Sequence, residues 1–307
     1  MTAIELARAT PAKARERSNT KPRKAVRGLV FAAPATFLLL ATYIVPTIIL
    51  VGFSVTDYRL GALSTHFIGL ENFAKAVHDP VFLRALKNTV IYAAIVIPFS
   101  VFMALGVALL VYNRKRSRAF WEVAYFLPVT ATLVAMATVW QFLLHPSLGP
   151  VNAAIKWLGF DPVAFLSNPA LLIPTMAVIG IWQVLGFNMV LFLAGLTTIS
   201  KELHDAARLD GAKNPIDRFL TVTWPMLGPT TMFVVVTTSI SAFKVFETVA
   251  VLTKGRFGSE TLLFDLYLEG FEYSNTGYAA ALTLIFLAIV LLLSIGQTLH
   301  LDRKVHY

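Results

Sequence analysis

Residues 88–111 read NTVIYAAIVIPFSVFMALGVALLV, a run with no charged side chain and with Pro98 near its middle. A buried helix of a soluble protein seldom runs so far without a charge. Proline in its interior would also remove a backbone donor and crowd the preceding turn. A bilayer span needs about 20 apolar residues at about 1.5 Å rise each, and it tolerates proline because neighbouring helices satisfy the freed carbonyls. The run reads as a membrane span. Working outward, five more stretches of the same kind occur at 28–53, 120–144, 170–197, 227–252 and 278–299, with Pro34, Pro46, Pro128 and Pro174 inside them. The expected fold class is all-α integral membrane, with six transmembrane helices in one domain over residues 27–307. The basic stretch 1–26 is expected to be a disordered tail.

Composition agrees. Apolar residues make up 57% of the chain and charged residues 14%, against about 45–50% and about 25% in soluble domains. The absence of cysteine excludes a disulfide framework, a thiol nucleophile and a thiolate metal site. The six histidines (66, 78, 145, 204, 300 and 306) form no close helical pair, so no metal site is expected. The net charge of +9 follows topology. Arg8, Lys13, Arg15, Arg17, Lys21, Arg23, Lys24 and Arg27 precede the first span, and Arg114, Lys115, Arg116 and Arg118 follow the second with no acid among them. The positive-inside rule places the N-terminus, the 112–119 and 198–226 loops and the C-terminus in the cytoplasm, so no nucleic-acid partner is expected. The first span is too long for a signal-peptide core and stays as an anchor.

The outer loops are short. Over residues 67–88, Asn72 and Asp79-Pro80 read as cap or turn signals. The spacing of Phe73, Val77, Phe82 and Leu86 predicts short helices lying on the membrane. Between spans three and four, Pro and Gly punctuate the chain around a short helix at Val151–Leu158.

Residues 200–229, SKELHDAARLDGAKNPIDRFLTVTWPMLGP, are too polar for hydrocarbon and lie on the cytoplasmic side of this topology. Ser200 reads as an N-cap with Glu202 in the first turn. Leu203, Ala206, Ala207 and Asp210–Gly211 recur at spacings of three or four, so they share a face almost bare of bulk. Such a face lets another surface approach closely. Asn214-Pro215 opens a second helix, which ends near Trp224-Pro225. The element reads as a docking helix, and no G-x-x-x-x-G-K-[ST] phosphate loop occurs in the chain to bind a nucleotide.

DAARLDGAKNPIDRFLTVTWP resembles the EAA-type loop of ABC importer permeases. The matches are Asp205-Ala206-Ala207, Asp210-Gly211-Ala212, Phe219 and Pro225, with Asp for the usual Glu at 205 and Trp224 for the usual Leu. FIGLENF (67–73), LHPSLGPVN (144–152) and FKVFETVAVLT (243–253) extend the resemblance to the first permease subunit of carbohydrate-type systems, over about residues 27–307. The chain departs from the family at Lys254-Gly255-Arg256-Phe257-Gly258, where relatives often carry Gly-Gly-Pro. The resemblance implies that Leu203, Asp205, Ala206, Ala207, Leu209, Asp210, Gly211 and Ala212 couple to a separate ATPase subunit present in two copies. It further implies a second homologous permease, an extracytoplasmic solute-binding protein and an inner-membrane location. ATP and Mg would belong to the ATPase subunits, with no cofactor, metal or catalytic residue in this chain. The implied solute is a sugar, oligosaccharide, polyol, glycerol phosphate or sulfonated sugar.

Polar groups inside spans are the default candidates for the solute path, because burying them in lipid is costly. Lys244 and Glu247 stand three apart in span five and either pair with each other, brace a neighbouring helix, or line the translocation cavity and bind hydroxyls or an anionic group. Trp182, Gln183 and Asn188 in span four offer a ring to stack on a sugar face and amides for hydroxyls. Trp182 also fits an interfacial belt. Glu122 near Arg118 reads as an ion pair at the membrane edge. The alternative function is an ion-coupled secondary transporter, which would want carboxylates deep in the bundle and paired broken helices in two repeat halves. Glu247 is the one deep candidate, and no repeat is visible. A membrane enzyme would want a carboxylate–histidine cluster, and the sequence has none.

Overall fold

The structure, a computed structural model, describes residues 31–114 and 116–302; the tail assigned to 1–26 lies outside them. The chain divides into a unit ending at Leu50 and a larger unit from Val51 onward. The first unit is helical from Phe31, with a single π turn at Leu40–Ile44. Its Thr42 and Thr47 hydroxyls donate to carbonyls four residues back, at 2.6 and 2.7 Å, which satisfies both groups without water.

Five helices are long and apolar enough to cross a membrane: Phe31–Ser54, Pro80–Tyr112, Pro169–Thr197, Gly228–Leu252 and Thr276–His300. The expected third span is not one straight helix. It is the pair Arg118–Thr130 and Leu133–Leu143, bent by 97°. The Thr130 hydroxyl donates to the Leu127 carbonyl at 2.8 Å, the acceptor that Ala131 N–H would need to continue the helix, and Ala131 turns to an extended conformation. Span five is also interrupted. It is helical over Gly228–Phe243, opens at 244–246, and resumes over Glu247–Leu252. The expected common helical face of Lys244 and Glu247 is therefore broken between them.

Span two begins earlier than its hydropathy suggests. Asp79 is its N-cap, its Oδ1 accepting from Val81 N–H at 2.9 Å, and Pro80 occupies the first turn. Phe82 and Leu86 thus belong to the span, and only Glu71–His78 remains as a separate short helix. Asn72 is not a cap. Its buried amide donates to the carbonyls of Ser54 and Thr56, both at 2.9 Å, and ties the Glu71–His78 helix to the chain leaving span one. The helix expected at 151–158 runs from Pro150 to Trp157. Its Asn152 donates to the His145 and Val163 carbonyls and accepts from Val163 N–H, fixing the ends of that loop.

Span two packs mainly against span four, whose glycines allow close approach. A Cβ at Gly180 would collide with the Tyr92 hydroxyl, and one at Gly186 with the Tyr125 carbonyl. Two apolar clusters follow. One joins Val96, Met176, Phe243, Val249, Leu262 and Leu282; the other joins Leu105, Met189, Phe192, Leu196, Leu227 and Val234.

The Lys254–Gly258 loop has a defined structure. Lys254, Gly255, Phe257 and Gly258 all take positive φ, between 53° and 76°. It is anchored to the start of span two: Arg84 makes a two-pronged ion pair with Glu260 (3.1 and 3.2 Å), and Asn88 donates to the Gly258 and Glu260 carbonyls, each at 2.8 Å. Thr89 Oγ1 accepts from Leu262 N–H at 2.8 Å. The Thr261 hydroxyl donates at 2.9 Å to the Val245 carbonyl, a group left free by the break in span five.

Asp265, in the short helix Leu262–Tyr267 of the same loop, is buried. Burial first, then the charges of Glu269, Asp79 and Glu260, push its pKa from 3.8 up to about 7. Between about pH 4 and 7 the folded chain keeps a proton that the unfolded chain releases, so stability falls as pH rises through that window. Asp265→Asn should flatten the dependence by up to roughly 4 kcal/mol, at about 1.4 kcal/mol per pH unit. Thermal unfolding in detergent across this range would test it, and a slope equal to that of the parent chain would refute it.

Candidate functional site

A cavity of about 290 Å³, walled mostly by apolar side chains and carrying a few polar groups, opens inside the bundle. Span four contributes Gln183 and Asn188, span five contributes Thr237, Thr238 and Ser241, and the break in span five contributes Lys244 and Glu247. Val129 and Leu133, on either side of the break in span three, close another wall. Interrupted helices thus border the cavity twice. Irregular backbone at membrane depth is tolerated where it is buried in protein or lines such a space.

Four of the five expected solute-path residues meet here. Lys244 is exposed to the cavity and Glu247 is half-buried; no ion pair links them among the described residues, so the pairing alternative is not what the fold adopts. Asn188 is spent structurally. It is buried and exchanges hydrogen bonds with Thr238, at 3.0 and 3.3 Å, which locks span four to span five. Trp182 lies outside the lining and packs edge-on against Trp140, with ring centroids 5.6 Å apart. Tyr92, Phe187, Thr237 and Ser241 also line the cavity and were not singled out from sequence. Hydroxyls in membrane helices are commonly satisfied by their own backbone, as Thr237 is by the Phe233 carbonyl, so they carry little signal in a single sequence. Glu122 pairs with Arg118 at 2.7 Å, as its spacing suggested.

The 200–213 segment forms the helix Lys201–Leu209, ended by Gly211 at φ +102°. Ser200 holds the N-cap position, but its hydroxyl caps no helix N–H. The Glu202 N–H and the Ser200 hydroxyl hold the Glu202 carboxyl below its usual range. Leu203, Ala206, Ala207, Asp210, Gly211 and Ala212 line one concave surface together with Leu220 and Val222, so the expected small-residue face exists. Asp205, which the resemblance places among the coupling residues, lies on the opposite face in a 3.2 Å pair with Arg208. Leu209 borders neither surface and is 89% exposed.

A bundle with a polar interior cavity and a protruding small-faced helix has known counterparts. Residues 76–307 match the family model described as binding-protein-dependent transport system inner membrane component. The chain belongs to this family. It is thus a membrane permease of the ABC importer type and not an ion-coupled carrier. The permease is 33% identical over 274 residues to the probable ABC transporter permease protein YurN of Bacillus subtilis, covering 87% of this chain and 93% of that protein. It is 31% identical to the sn-glycerol-3-phosphate transport system permease protein UgpA of Agrobacterium fabrum, covering 80% and 84%. Its fold matches a permease chain of a bacterial alginate ABC transporter crystallised with an alginate pentasaccharide-bound periplasmic protein. The TM-score is 0.81 at 22% identity, covering 92% of this chain and 96% of that one.

Proposed function

We propose that the permease carries a sugar or sugar-like solute into the cell, handed over by an extracytoplasmic binding protein and driven by ATP hydrolysis in two copies of a separate subunit. The cavity is the observation that carries this reading. Its hydroxyls, the Gln183 amide, Lys244 and Glu247 offer donors and acceptors to a polyhydroxylated ligand in a site otherwise walled by apolar side chains. The names of relatives such as UgpA support a sugar-like or glycerol phosphate solute. A second homologous permease completes the path. In the proposed orientation the Lys201–Leu209 helix faces the cytoplasm and docks on the ATPase subunit, where Leu209 would be covered. ATP and Mg act in that subunit: ATP binding pulls the helix and turns the bundle from inward- to outward-facing, and hydrolysis resets it.

The test is transport by the reconstituted complex. Lys244→Ala and Glu247→Gln should each lower uptake by about tenfold or more, because each removes a hydrogen bond involving a charged group, while the complex still assembles. ATPase activity should rise only with the loaded binding protein. Uptake driven by an ion gradient without ATP would refute the reading.

A further inference from the structure

The Lys201–Leu209 helix has a second face, and it borders a cavity of about 600 Å³ that the transport cycle described above does not use. We propose that this cavity binds the phosphate headgroup of an anionic phospholipid, with Lys201 and Arg218 as its cationic contacts. The cavity sits where spans two and four both end, so it opens at the level of the lipid headgroups. This placement rests on the spans crossing the bilayer and not on which side they end.

The electrostatics are one-sided. Lys201, His204, Arg208 and Arg218 line the cavity, and Asp205 is the one acid. Asp205 is already taken by Arg208 at 3.2 Å. Neither Lys201 nor Arg218 has a carboxylate partner among the described residues, although Arg118 and Arg84 both found one. Asp217, next to Arg218 in sequence, lines the opposite concavity. Arg218 is half-buried, and its guanidinium makes no hydrogen bond among the described residues. A fork of donors facing an unfilled space suits phosphate oxygens. The remaining walls are apolar: Leu109, Leu196, Ile199 and Phe219 offer a surface along which the first methylenes of an acyl chain can lie. A basic pocket with apolar walls between span ends is the arrangement that holds anionic lipid headgroups in membrane proteins.

The full chain would be purified into nanodiscs of phosphatidylglycerol or phosphatidylcholine, and the lipid it retains would be weighed by native mass spectrometry. The expected result is preferential retention of phosphatidylglycerol, reduced roughly tenfold or more in Lys201→Gln/Arg218→Gln, since each lost base weakens attraction to anionic lipid. Arg218→Lys should recover part of it. Arg114→Gln/Arg116→Gln, which removes bases outside the cavity, should retain lipid as the parent does. Lys201→Gln alone, at an exposed position, keeps the test open if loss of Arg218 prevents folding. Equal losses in the Arg114/Arg116 control would mean general surface charge and overturn the site. Displacement by excess inorganic phosphate would reassign it to a soluble anion, and loss of lipid on assembly with the ATPase subunit would assign it to that protein.

Discussion

Gly186→Leu is expected to yield no monodisperse permease in detergent, while Gly106→Leu is expected to behave as the parent. Both glycines sit inside long apolar helices, and hydropathy does not distinguish them. Their surroundings do. A Cβ at Gly106 meets nothing within 4 Å, whereas one at Gly186 meets the Tyr125 carbonyl and the Phe126 backbone. Backbone cannot rotate aside as a side chain can, so span four would have to separate from the Arg118–Thr130 helix. Overpacking typically costs about 1–3 kcal/mol and more where nothing yields. Here it would also open the wall of the interior cavity formed by Val129, Gln183 and Phe187. Size-exclusion profiles of the two variants decide the matter; a sharp parent-like peak for Gly186→Leu would mean that this contact is dispensable.

Gly211→Trp is expected to insert and fold, yet to lose coupling to ATP. Gly211 has φ +102°, a conformation that strains any residue with a Cβ by about 1–3 kcal/mol. Among the described residues nothing lies within 4 Å of its Cβ position, so the added ring has room within this part of the permease. A large loss must therefore arise from a surface that approaches from outside. Gly211→Ala separates the two effects, since it carries the strain with almost none of the bulk. Binding-protein-stimulated ATPase activity should fall modestly in Gly211→Ala and by about tenfold or more in Gly211→Trp, equivalent to about 1.4 kcal/mol or more of coupling. Equal losses in both would place the effect in helix geometry and not in docking.

The spans were legible because a bilayer imposes a length that few other contexts demand. Their interruptions were not, although the ingredients were visible. Pro128, Val129 and Thr130 sit just before the break in span three, where Ala131 turns to an extended conformation and the Thr130 hydroxyl bonds the Leu127 carbonyl. The first two turns of span two were masked by Arg84 and Lys87, which read as the edge of the membrane. Arg84 nevertheless lies in the helix, paired with Glu260 far away in the chain. The loop helix and its small-residue face were legible from spacing and motif. In the cavity, the charged and amide groups stood out against an oily background, and the hydroxyls did not. Trp182 was misleading because a large aromatic at membrane depth suits Trp140 as well as it suits a sugar.

The hydrogen bond from Thr261 to the Val245 carbonyl makes the outer loop and the cavity wall a single mechanical part. Lys244 and Glu247 flank the non-helical stretch whose Val245 carbonyl that hydroxyl holds. A displacement of that loop would therefore pull on the stretch of chain between these two charged groups.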